Sequence, residues 1–158
     1  MNRCREKYVA YSYRSDPTAP RFDDSVPLII FDGKCVLCSS GVQWMISHDS
    51  DGATRFAAIQ EPVSQALYNH YGLDADAFDT FMVLVDGVPH LRWDGMLAAG
   101  KLLPGGWKVI AALGRMIPNF IGDRLYDFVQ RHRIGWFGAR ETCLVQVVEM
   151  QSRFLSCP

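Results

Sequence analysis

A chain of 158 residues, 49% hydrophobic and 21% charged, is long enough to bury one substantial core and short enough to form a single domain. Sixteen basic and seventeen acidic residues leave a net charge of −1, which argues against the concentrated basic surface that a nucleic-acid partner requires. No apolar run approaches the roughly 18 residues of a membrane span, and the polar start Met1-Asn2-Arg3-Cys4 leads into no apolar signal-peptide core, so the expected setting is the cytoplasm.

Residues 1–25 carry Tyr8, Tyr11, Tyr13, Pro17 and Pro20 without sustained periodicity, and read as an arm that is mobile or packs loosely on the domain through its tyrosines. Leu28 to Asp32 is apolar without alternation, the pattern of a central strand. Val36 to His48 follows as a helix, with Cys38, Val42 and Met45 on one face and Asp49-Ser50-Asp51-Gly52 as its stop. Arg55 to Ile59 is a second strand. Strand, helix and strand at this spacing make a right-handed βαβ unit with parallel strands.

Pro62 to Tyr71 predicts a second helix, with proline in its first turn and Gly72 past its end. Thr80 to Val85 and Val88 to Trp93 predict a hairpin across Asp86-Gly87, and Pro89 assigns the second of these strands to an edge. Beyond Gly95 the chain turns helical: Met96 to Leu103, Trp107 to Met116, and Phe120 to Arg133, punctuated by Pro104-Gly105-Gly106 and Pro118. Phe120, Ile121, Leu125, Phe128 and Val129 stripe the last helix. Such a stripe either packs on the sheet or contacts a membrane surface, and packing is the expected role.

The chemistry concentrates at Asp32-Gly33-Lys34-Cys35-Val36-Leu37-Cys38, a turn between the first strand and its helix. A helix N-terminus offers unpaired N–H groups and partial positive charge. Both favour a thiolate, the reactive form of cysteine, and so lower a thiol pKa from about 8.5. Five cysteines cannot all pair, and in a reducing compartment Cys-x-x-Cys is more often catalytic or metal-binding than structural. In dithiol exchange one thiolate attacks a disulfide and a second thiol resolves the mixed disulfide. Cys35, expected to be the more exposed, is the assigned nucleophile; Cys38, one turn in, is the resolving thiol. Gly33 supplies backbone freedom for the turn, and Lys34 can stabilise the thiolate if its ammonium folds over Cys35. Exchange of this kind needs no bound cofactor.

Asp32 has two readings. As a charge it raises a neighbouring thiol pKa, and as a base it takes the proton of Cys38 during resolution. Alternatively it caps the turn by accepting the N–H groups of residues 34 and 35.

A βαβ unit with Cys-x-x-Cys opening its helix, followed by a helix and a hairpin, resembles the thioredoxin-like α/β fold. The closer resemblance is to the DCC family of thiol-disulfide oxidoreductases, named for one Asp and two Cys: here Asp32, Cys35 and Cys38. Its distal pattern is similar to Ile117-Pro118, Asp123, Tyr126, Arg133, Trp136-Phe137-Gly138 and Cys143 in this chain. The resemblance spans roughly residues 27–145. It implies a thioredoxin-like domain over 26–145 with a helical C-terminal extension, a tail over 146–158, and a protein or small-molecule thiol or disulfide as substrate. It also lifts Cys143, otherwise a packing cysteine, to a candidate third redox partner. Two features differ from thioredoxins: Lys34 stands where they carry Trp, and Asp79-Thr80, with Thr80 a supporting site residue, stands where they carry a cis-proline.

Other classes fit less well. A structural zinc site wants four ligands, and this chain has one Cys-x-x-Cys with four scattered histidines, so no metal is assigned. Ile30-Phe31-Asp32-Gly33 resembles the start of haloacid dehalogenase phosphatases, but Lys34 replaces the second Asp they need. Arg133 and Trp136 either line the mouth of the site or serve helix packing. The remaining alternative is a redox-silent interaction module on a thioredoxin-like scaffold.

Overall fold

The computed structural model describes residues 8–49, 51–75, 80–139 and 154. Four strands form one mixed sheet: β1 (Leu28–Phe31), β2 (Arg55–Ala58), β3 (Met82–Val85) and β4 (Val88–Leu91), in the order β2-β1-β3-β4. β1 is central and all four of its side chains are buried. It runs parallel to β2, with Leu28 opposite Arg55 and Phe31 opposite Ala58, and antiparallel to β3, with Ile30 opposite Met82. β4 closes the sheet as an edge strand, where Pro89 can lack an N–H without breaking a ladder.

The pleat splits β1 between two cores. Leu28 and Ile30 face Val63, Leu67 and Tyr68 of α2 (Pro62–His70); Ile29 and Phe31 face Val42 of α1 (Val36–His48) and Ala99 of α3 (Arg92–Leu102). Each of the Leu, Ile, Val and Phe side chains among them is worth about 1.5–3 kcal/mol against exposure. Ahead of β1, a 3-10 turn (Ser12–Ser15) brings Tyr13 into the first of these cores at 3% exposure, and its hydroxyl donates to Asp24 at 2.8 Å. This is a thioredoxin-like α/β arrangement with a helical C-terminal part.

That part consists of α4 (Trp107–Gly114) and α5 (Asn119–Phe137), both laid on α3. α3 begins earlier than Gly95 suggests. Gly95 lies inside it, where a Cβ would fall 2.8 Å from the His90 carbonyl oxygen, so this glycine allows close packing within the helix rather than preceding its start. The stripe on α5 also differs from expectation. Phe120, Ile121, Leu125 and Phe128 face outward, because α5 rests on its neighbours through Gly122 and Arg133, its two buried residues. Gly122 is pressed so closely on the Trp93 ring that a Cβ would overlap it, at 2.3 Å.

Candidate active site

Asp32 follows directly on β1, at the end where Phe31 lies opposite Ala58 of the parallel strand β2. Its Oδ1 accepts the Lys34 N–H at 3.0 Å and the Gln60 side-chain amide at 3.2 Å. The Cys35 N–H goes to the Asp32 backbone carbonyl instead, at 3.2 Å. Gln60 Oε1 accepts the Gly33 N–H at 3.3 Å, and Ser39 Oγ donates to the Gly33 carbonyl at 3.2 Å. The turn is thus held from both sides, and of the two N–H groups expected at a capping Asp32 the carboxylate accepts that of Lys34 alone.

Cys35 is the N-cap of α1, and its Sγ accepts the Cys38 N–H at 3.3 Å. The thiols of Cys35 and Cys38 are both free. A hydrogen bond from the Cys38 thiol lowers the Cys35 pKa most; the Cys38 N–H and the Arg133 guanidinium lower it further, against burial and the Asp32 charge, to about 6. Cys38 moves the other way. Its proton is held by Cys35 and burial adds to the effect, so its pKa is raised.

Exposure reverses one expectation. Cys35 is 0% exposed, while Cys38 is only half-buried. The chain leaving α5 runs alongside Cys35: Ala139 bridges it in antiparallel fashion, and the Val36 N–H donates to the Gly138 carbonyl at 3.4 Å. The same helix end delivers the cation. Arg133 Nη1 donates to Cys38 Sγ at 3.0 Å, and Nη2 lies 3.3 Å from Asp32 Oδ2. Two cysteines at a helix start, a buried carboxylate and a buried guanidinium therefore form one cluster, built by β1, α1 and α5.

The family model for DCC1-like thiol-disulfide oxidoreductases matches residues 29–139, which span every member of this cluster. The chain belongs to that family. It is similar to YuxK of Bacillus subtilis, named as an uncharacterized protein, with 31% identity over 128 residues, 81% of this chain and 93% of that one. It is also similar to a chloroplastic DCC family protein of Arabidopsis thaliana, with 26% identity over 121 residues, 77% of this chain and 70% of the relative. No solved structure gives a significant match.

The structure thus brings together Asp32, Gly33, Cys35 and Cys38 of the residues singled out in sequence. Lys34 is exposed, and the cation acting on the sulfurs is Arg133. Thr80 is buried just before β3, and its carbonyl accepts the Tyr68 hydroxyl. The next N–H, of Phe81, donates to the Tyr126 hydroxyl at 2.7 Å. Two tyrosines therefore fix the backbone at Thr80 and Phe81, and burial raises the pKa of both. Trp136 lies on the exposed side of α5, its ring stacked on His132. Cys4, Cys143 and Cys157 lie outside the described residues. Among the described residues no group of three His, Cys, Asp or Glu is placed to hold a metal ion. Sequence reasoning missed Gln60 and Ser39. Gln60 had one signal, a polar residue directly after an apolar strand that lies parallel to β1.

Proposed function

We propose that this protein catalyses dithiol–disulfide exchange, with Cys35 as nucleophile and Cys38 as resolving thiol. The observation that carries this reading is the Cys35 sulfur at the N-terminus of α1, accepting the Cys38 N–H, with the Arg133 guanidinium in the same cluster. The Cys35 thiolate attacks one sulfur of a substrate disulfide; a Cys35–substrate bond forms, the substrate S–S bond breaks, and the departing thiolate takes a proton from water. The negative charge on Cys35 is then gone. Arg133 is left beside Cys38 and favours its thiolate: the Cys38 proton passes to solvent, its sulfur attacks Cys35, and the Cys35–Cys38 bond forms as the Cys35–substrate bond breaks and the second substrate thiolate leaves to take up a proton. Two electrons pass to the substrate, and the reverse sequence oxidises a dithiol.

The proposed substrate is a protein or small-molecule thiol or disulfide, and the proposed setting is the cytoplasm, where the reduced pair is the resting form. Asp32 acts as positioning residue for Arg133 and the turn. Cys38→Ser tests the assignment: incubated with a mixed aromatic disulfide, it should accumulate a stable adduct on Cys35, whereas Cys35→Ser should accumulate none and lose exchange. Failure of Cys38→Ser to form any adduct, or unchanged turnover in Cys35→Ser, supports the redox-silent scaffold, a reading that the burial of Cys35 favours.

A further inference from the structure

We propose that the outward faces of α4 and α5 dock on an anionic lipid bilayer. Amphipathicity in these helices runs opposite to that of ordinary surface helices. The sides that meet α3 use small residues, Ala111 against Gly100 and Gly122 against Trp93. The large apolar side chains point away from the protein: Ile110, Leu113, Met116, Phe120, Leu125 and Phe128 are each more than half exposed, Met116 at 80%. Apolar exposure on this scale along two consecutive helices marks an interaction surface.

Charge selects the partner. Apart from the buried Arg133, residues 107–137 carry four basic and two acidic side chains, a net charge of +2 in a chain of net −1. Lys108, Arg115, Arg124 and Arg131 are exposed beside the apolar residues. Both acids are partly withdrawn: Asp123 accepts the Trp93 N–H at 3.3 Å, and Asp127 pairs with Arg92 at 3.6 Å. Isologous pairing of two copies through this face would set like charges against each other. An anionic headgroup layer instead meets the basic residues while the acyl boundary takes the aromatic and aliphatic ones, as at interfacial helices. Among the described residues no helix is long and apolar enough to cross a membrane, so contact is with the surface.

The test is co-sedimentation of the full reduced chain with vesicles of phosphatidylcholine alone or mixed with phosphatidylglycerol. Binding should require phosphatidylglycerol and weaken with salt. Phe120→Glu with Leu125→Glu should weaken it about tenfold or more, given two apolar side chains lost from the boundary. Arg124→Gln and Arg131→Gln should each weaken it about fivefold. All four positions are exposed, so thermal unfolding should stay unchanged. No binding to either vesicle, equal binding to both, or a dimer that the glutamate variants dissociate in sedimentation equilibrium would each overturn the proposal, the last in favour of a second copy.

Discussion

Arg133 reaches back across ninety-five positions of chain to donate a hydrogen bond to the sulfur of Cys38 at 3.0 Å. Its second terminal nitrogen lies 3.3 Å from Asp32, with the two side chains only 6% and 12% exposed. A buried cation so placed is costly to remove alone, since the carboxylate is left without its charge partner. Arg133→Met should therefore lose about 3 kcal/mol in urea unfolding, and adding Asp32→Asn should recover part of it. The same substitution removes a positive charge that lowers the Cys35 pKa, so the alkylation midpoint of Cys35 should rise. Arg133→Lys, keeping the charge but not the fork, should restore the midpoint better than the stability. An unchanged midpoint in Arg133→Met would remove Arg133 from the chemistry.

The largest influence on Cys35 is the thiol proton of Cys38, and it predicts a difference between two conservative variants. In the native protein the alkylation rate of Cys35 should rise with pH through about 6 and level off above, because only the thiolate reacts. Cys38→Ser keeps an O–H donor and should keep a low midpoint. Cys38→Ala has none, and its midpoint should climb toward the free-thiol value of about 8.5. Iodoacetamide kinetics in a background lacking Cys4, Cys143 and Cys157 measure both. Identical midpoints would mean that the helix N-terminus and Arg133 alone set the thiolate.

Much of the fold is legible in the sequence. α1 starts and stops where its apolar face and the Asp49-Ser50-Asp51-Gly52 stop predict, and Pro89 correctly marks an edge strand. Those signals are local. What the sequence hid is set by tertiary contact. Val88 to Trp93 reads as strand with helix only beyond Gly95, when the strand ends at Leu91 and the helix starts at Arg92 with Gly95 packed on His90, and the apolar stripe of α5 reads as core when Gly122 and Arg133 form the contact side. The bridge between Cys35 and Ala139 joins residues that no periodicity connects. Arg133 carried two equal readings in sequence, and only its distance to Cys38 separates them.

Asp32→Asn isolates charge from capping. The amide oxygen can still accept the Lys34 N–H, so the turn should persist, but the negative charge that raises the Cys35 pKa is lost. The Cys35 midpoint should therefore move down, opposite to the effect of Arg133→Met. If Asp32 also handles the Cys38 proton, release of a Cys35 mixed disulfide should slow more than its formation, as followed by stopped-flow mixing with a chromogenic disulfide. Equal slowing of both steps would leave the carboxylate with the capping role alone.

The segment alongside Cys35 has its own genetic handle. Gly138 takes φ 84° and ψ 173°, a conformation that a side-chain-bearing residue adopts only with strain, yet a Cβ there would meet no atom within 4 Å. Gly138→Ala thus adds backbone strain without a clash. Strain of about 1–3 kcal/mol at the residue whose carbonyl accepts the Val36 N–H should loosen the segment that runs alongside Cys35. Alkylation at a pH where Cys35 is fully ionised should then quicken about tenfold for each 1.4 kcal/mol of weakening, and bulky reagents should gain more than iodoacetamide. The midpoint should stay near 6, because Cys38 and Arg133 keep their places. Faster alkylation with a shifted midpoint would show that Gly138 shapes the thiolate environment itself, and an unchanged rate would show that Cys35 is reached by another route.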